Sequence, residues 1–438
     1  MKKISLLLVM CLILSMSVVM SGCSSGGKLY LYVNDDSLKA TYTKLAQSFV
    51  SEYNADENNK KIEIIVKSTS GTDYIKGLKD ALAQEKEYPS VFVLNGINDY
   101  NAVKDSCADL SDTDLYKQEL LVKSLAVTEN EKVKAIPVSV DGFGLIYNES
   151  IMQKYFSLSE RATTVKSVAE INSYDIFVQV IEDIQRHTEE LGVKGAAAPI
   201  PLRMNYRDDA QKKLIGIPLY YELEESADAA DASTDKNITF KYSENLKNTL
   251  DLFVNNTYIS ATVLGNITYV DAAVDFAQKK SAIMMGTTSA WKYISTAENN
   301  SVTKDDISFM PLYMGIKEEK NHSIAMGASS YVAVNSKLNE KETALAKQFI
   351  NWLYTDKDCI TEFNCSLSLP FKSAAGDNPL TDKVMEYAQG SVPTVPFEDD
   401  RYPSAEFNDI MGESLLDYVQ GIYSWDGIMA TATDAWQK

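Results

Sequence analysis

The chain has 438 residues, 45% of them apolar and 10% aromatic, with 61 acidic against 42 basic side chains and a formal charge of −19. That length supports two or three domains around a large core, and that acidity excludes nucleic acid and anionic lipid as partners of the protein surface. With two histidines and no HExxH or cysteine-rich spacing, neither a zinc or iron site nor any cofactor is expected.

Lys2 and Lys3 precede an apolar run from Leu6 to Met20, too short for a comfortable membrane span, and residues 1–22 read as an export signal. Cys23 follows the small residues Ser21 and Gly22, and residues 23–28 form a Ser/Gly-rich tether. This start resembles a bacterial lipoprotein signal, with Met20 where Leu is usual. The resemblance implies acylation of Cys23 and a lipid-anchored protein on the extracytoplasmic face of the cell membrane. Loss of the signal leaves about 416 residues of charge about −21, so lipid and not a basic patch would supply the membrane contact.

The strand-like "KLYLYV" (Lys28 to Val33) is followed by "NDDS" and then by Leu38, Tyr42, Leu45, Phe49 and Tyr53 at helical spacing. Asp35, Asp36 or Ser37 can cap that helix by accepting its first N–H groups. A strand at Lys61 to Val66, a helix near Tyr74 to Gln84 and a strand at Ser90 to Leu94 complete a β-α-β-α-β order, which predicts a parallel sheet. Ligands of open parallel sheets sit beyond the carboxyl ends of the strands, so "NDDS" and "NGINDYN" are candidate walls of a site.

From Lys134 to Asn148 two strand-like stretches are expected to meet at a turn around Asp141-Gly142, with helical segments beyond. "YELEESADAADASTD" (Tyr221 to Asp235) is acidic and without an apolar stripe, a surface insertion or solvated helix end. Helices are predicted over Leu246 to Asn256, Val270 to Lys279 and Glu342 to Tyr354, the last burying Trp352 on the face of Leu345, Phe349 and Leu353. Cys359 and Cys365 are close enough in sequence to form a small disulfide, leaving Cys107 unpaired, or all three are buried thiols. No GxSxG elbow, P-loop or GxGxxG appears, so no enzyme activity is expected, and a surface-anchored polysaccharide hydrolase stays only as a rival.

Four stretches taken together resemble the family 1 extracellular solute-binding proteins of ABC transporters, the carbohydrate-uptake branch especially: "YPSVFVLNGINDY", "IPVSVDGFGLIYNESIMQKY", "DFAQKKSAIMMGTTSAW" and "SSYVAVNSKLNEKETALAKQFINWLYTDKD". Ser90, Asn148-Glu149-Ser150 and Gln278-Lys279-Lys280 depart from the commoner pairings of that family. The resemblance implies an α/β, two-lobed, periplasmic-binding-protein-like fold of the second type, with crossing hinge strands and a ligand cleft between the lobes. It implies a first lobe beginning at residues 29–140 and a second over 141–438 that returns strands and helices to the first, including about 270–345. It also implies a sugar or oligosaccharide ligand, an ABC permease as partner and a monomer; a non-sugar solute is the near alternative, with Arg203 and Arg207 as the arginine pair that would favour an anion.

A sugar site wants an aromatic face beside groups that donate and accept hydrogen bonds. Trp291, after "GTTS", matches the family's Gly-x-Trp aromatic, and Ser289 shares that helix start, where an N-cap is the alternative. Asn34, Asp35 and Asn95 end strands; Asp141 and Phe143 flank Gly142; Gly327 in "MGASSY" would let backbone approach a ligand. Trp425 is left as core or rim.

Overall fold

The computed structural model describes residues 27–69, 74–202, 209–225, 238–363, 365–398 and 401–437. The expected signal, Cys23, Arg203, Arg207 and most of the acidic segment lie outside them.

The chain begins as the sequence pattern predicts. Strand β1 (Lys28–Val33) leads through α1 (Lys39–Ala55), β2 (Glu63–Ser68), α2 (Tyr74–Ala83) and β3 (Val91–Leu94) to α3 (Gly96–Val103). β1 pairs parallel with β2 and with β3, Tyr32 standing opposite Phe92. On α1 the four-three-four spacing buries Tyr42, Leu45 and Phe49 against the sheet. Each such side chain fully withdrawn from water contributes about 1.5–3 kcal/mol.

β4 (Val127–Glu129) then pairs with β5 (Lys132–Asn148). The expected turn at Asp141-Gly142 is absent: β5 is one strand of 17 residues. Glycine serves a different need there. A Cβ on Gly142 would stand 2.3 Å from Val384 Cγ2, and one on Gly144 would stand 2.6 Å from the Met310 carbonyl oxygen. The glycines let neighbouring elements press against a continuous strand.

The middle of the chain continues as α4 (Glu149–Ser157), α5 (Tyr174–Arg186), α6 (Thr188–Leu191), β6 (Gly195–Ala197), α7 (Asp209–Glu225), α8 (Ser243–Asn255), α9 (Tyr269–Ala277), β7 (Ser281–Thr287), α10 (Ala290–Thr296) and β8 (Ile307–Met310). Asn148 caps α4 by accepting from the Ile151 N–H at 3.0 Å, and Thr268 and Asp271 form a reciprocal capping box on α9. The last third comprises β9 (Ala325–Val334), α11 (Glu340–Thr355), α12 (Lys357–Phe363), α13 (Pro379–Gln389), β10 (Val395–Pro396), α14 (Ala405–Val419) and α15 (Trp425–Trp436).

Two strands tie these parts into two lobes. The sheet order runs β2-β1-β3-β9-β5-β7-β6, with β10 on β9 and with β4 and β8 on β5. β9 is antiparallel to β3 (Val91 opposite Val334) and to β5 (Ile136 opposite Val332, Phe143 opposite Ala325), with register irregularities around Ser139. One core gathers β1, β3, α1, α11 and α12 with Val133, Ile136 and Val138 of β5. A second gathers α5, α8, α14 and α15 with Phe143, Leu145 and Tyr147, from the other end of the same strand. Trp352 packs on the first core beside Phe49, and Trp425 is buried in the second, its ring 4.9 Å from that of Tyr418. Cys107, Cys359 and Cys365 are all free thiols, so the disulfide alternative falls away.

Candidate functional site

A cavity of about 470 Å³ lies where the two strands pass between the lobes. Its volume is in the range of small-molecule sites. From the first lobe come Asn95, Gly96 and Ile97, beyond the carboxyl end of β3; from the crossing strands come Asp141 of β5 and Met326 to Ser329 with Tyr331 of β9. Lys213 of α7 and Pro396 and Phe397, at and just past β10, close the other side.

Local chemistry sets each group. Gly96 has φ +69°, a left-handed conformation that turns β3 directly into α3 and leaves the loop tight against the cavity. The Asn95 N–H donates to Asp99 Oδ2 at 2.9 Å, and the Asn34 amide donates to Asn95 Oδ1. Burial pushes the Asp99 carboxyl above its ordinary pKa, an effect opposed by that Asn95 N–H. Asp141 Oδ1 accepts from the Thr288 N–H at 3.0 Å and from the Thr288 hydroxyl. Thr288 is itself buried, with its hydroxyl accepting from Ser368 at 3.3 Å and its carbonyl accepting from the Asn378 amide at 3.0 Å. The Asp141 carboxylate is therefore held by Thr288 of the β7–α10 turn, which Ser368 and the Asn378 cap of α13 fix in turn. On the opposite wall Lys213 Nζ stands 3.8 Å from the centroid of the Phe397 ring, a cation–π contact that keeps both side chains at the cavity.

Of the residues singled out by sequence, Asn95, Asp141 and Gly327 share this wall, and Asn34 stands behind it as a partner of Asn95. Gly327 acts otherwise than expected. A Cβ there would meet Phe397 Cδ2 at 2.9 Å, so what its missing side chain admits is an aromatic ring of the protein. Asp35 Oδ1 accepts from the Ser37 N–H at 2.7 Å in the turn before α1 and does not line the cavity. Ser289 is exposed at the end of β7, its hydroxyl 2.7 Å from that of Thr287.

Two aromatic expectations change. Phe143 is fully buried in the core of the second lobe, because on β5, flanked in the sheet by β7 and β9, its ring projects from the core-facing side, and it does not line the cavity. Trp291 is 5% exposed and packs among Ala272, Phe276, Ile294 and Met326, off the cavity wall. The aromatic side chains that line the site are Phe397 and Tyr331, neither of which the sequence pattern singles out. The signal for Phe397 was slight: an aromatic residue just after the short β-branched run of "VPTVPF".

The cavity thus brings together two aromatic side chains, a fixed carboxylate, an amide and an ammonium group. Among the described residues, no group of three or more His, Cys, Asp or Glu side chains could hold a metal ion, and no helix is long and apolar enough to cross a membrane.

Residues 36–358 match the sequence profile of the bacterial extracellular solute-binding proteins. No curated protein matches the chain. Among solved structures, apo RafE of Streptococcus pneumoniae superposes with a TM-score of 0.63 at 17% identity, covering 95% of this chain and 99% of that one. The binding protein MsmE of Bacillus subtilis, in an open conformation, gives 0.62 at 17% identity, covering 94% and 97%. A sugar transporter protein of Bacillus licheniformis in complex with stachyose gives 0.54 at 17% identity, covering 94% and 99%. At these identities the likeness establishes the two-lobed fold.

Proposed function

Because the chain belongs to the bacterial extracellular solute-binding proteins, we propose that it captures a sugar or oligosaccharide in the interlobe cavity and delivers it, unaltered, to an ABC-transporter permease. The observation that carries this reading is the make-up of the wall: Phe397 and Tyr331 beside Asn95, Asp141 and Lys213. Sugars present apolar C–H faces together with hydroxyls that donate and accept, and this wall answers both. The stachyose complex of the Bacillus licheniformis neighbour supports the ligand class. Asn34 orients Asn95, while Asp35 and Ser289 shape the loops at the ends of β1 and β7.

Contacts from both lobes exist together only when the lobes approach, so a ligand bridging them shifts the population toward closure. The protein acts as a monomer, held by a lipid on Cys23 at the extracytoplasmic face of the membrane, with no cofactor. A Cys23→Ser chain that stays membrane-bound after washing would overturn the anchor.

The test is a thermal-shift panel of mono- and oligosaccharides, since a ligand that binds only the folded state raises the melting temperature. One sugar class is expected to raise Tm with dose in the native protein and to do so far less in Phe397→Ala. No shift with any sugar overturns the ligand class; turnover of an oligosaccharide by the purified protein overturns the binding role in favour of hydrolysis.

A further inference from the structure

A second cavity, of about 650 Å³, opens within the second lobe and shares no lining residue with the interlobe site. It is walled by the end of β5, by β8 and the chain that follows it, and by one face of α13 continuing to residues 390–392. Three tyrosines face it, Tyr147, Tyr313 and Tyr387. The Tyr387 hydroxyl is committed to the Phe309 carbonyl at 3.3 Å, which fixes the ring as a wall. His322 is locked as well: Nε2 lies 3.2 Å from the Tyr220 hydroxyl and the ring packs edge-on to Tyr220 and Tyr221.

The charge of this cavity runs against that of the chain. Lys320 and Lys383 line it with a single carboxylate, Glu386, and that carboxylate is already paired with Lys383 at 2.5 Å. Lys320 has no acidic partner among the described residues. In a protein of formal charge −19, a cavity that combines aromatic walls with excess ammonium charge selects for a negative group on a flat or ring-shaped body.

We propose that this cavity is a second binding site, for a small ring-bearing carboxylate whose ring lies on the tyrosine faces and whose carboxylate is met by Lys320. Acidic sugars and aromatic acids share that chemistry, and the site stands independently of the reading of the interlobe cavity.

The test is calorimetric titration of the purified full-length protein with glucuronate, 4-hydroxybenzoate and glucose, at low and high salt. At least one of the two acids is expected to bind, at least tenfold more tightly than glucose and more weakly as salt rises, and which acid binds identifies the source. Lys320→Met should weaken that binding about tenfold, the scale of a charge-assisted contact, and as an exposed position it leaves the core untouched. Lys383→Met provides a second reading on the opposite wall and should weaken binding less, its charge being shared with Glu386. Failure of both acids to bind overturns the proposal, as does equal binding of glucose or full retention in Lys320→Met. Loss of acid binding in Phe397→Ala, with retention in Lys320→Met, places the acid in the interlobe cavity and overturns it too.

Discussion

The two cavities use related side chains on different foundations. The interlobe cavity draws its wall from both lobes and from the two strands they share, so its shape depends on how the lobes stand to each other. The second cavity is built inside one lobe, on β8, α13 and the end of β5, and its shape depends on local packing. Charge separates them further: one cation, Lys213, and one acid, Asp141, line the first, whereas cations outnumber the single acid in the second. Aromatic walls alone say that a ring-shaped ligand is welcome; the element that carries each wall decides whether binding also moves the protein.

The largest expected effect sharpens this contrast through pH. Glu319 lies buried in the segment that follows β8, accepting from the N–H groups of Met314, Gly315 and Ile316, and burial raises its pKa to about 7. A carboxyl raised above its unfolded value costs nothing below about pH 4.5 and withdraws stability as pH climbs through 7, in total up to about 3 kcal/mol. Denaturant melts at pH 5 and pH 8 should show that loss in the native protein and a flatter profile in Glu319→Gln. Acid binding at the second cavity, whose wall this segment forms, should weaken over the same range more than sugar binding does.

Next in size is a change that erases the contrast. α13 touches both sites: Lys383 and Tyr387 face the second cavity, while Val384 presses on Gly142, next to Asp141. Gly142→Ala should cost about 1–3 kcal/mol by overpacking and impair binding at both cavities, as read by denaturant midpoint and titration. Adding Val384→Ala should recover part of the loss, because neighbouring changes are not additive. Phe397→Ala should then separate the sites, weakening sugar binding roughly tenfold through loss of the aromatic face while leaving the second cavity as it was. The smallest effect is none at all: with Cys107, Cys359 and Cys365 free, a reductant should leave the melting temperature of the protein unchanged.

What could be read from the chain was what repeats locally. The alternation of β1, α1, β2, α2 and β3 shows in spacing, and the faces of α1 and α11 emerge with Phe49, Leu345 and Phe349 inward, because helix and strand periods are written within a dozen residues. The end of β3 was legible for the same reason, and Asn95 there does line the cavity, whereas Asp141 reaches it from within β5. Asp141-Gly142 misled because a glycine beside an aspartate is the signature of a tight turn, whereas the need for glycine here comes from Val384, more than two hundred residues away. Trp291 and Phe143 illustrate the complementary difficulty. Neither the rotation of α10 nor the inward pleat of β5 at Phe143 can be known until the neighbouring elements are in place. Lys213 and Phe397 meet only through folding, so no short window announces them.

The pairing of β3 with β9 carries one more consequence. Val91 finds Val334 only after most of the chain has been made, and the first core also waits for α11 and α12, which end at Phe363. A growing chain can therefore assemble β1, β2 and β3 early but must leave an open edge on β3 until its last third arrives. Loop closure over such a separation is slow, and a product that stops short of β9 has no complete first lobe to fold into. The lobe that begins first in synthesis is thus finished late, and the chain stays unfinished, and so still threadable, for most of its length.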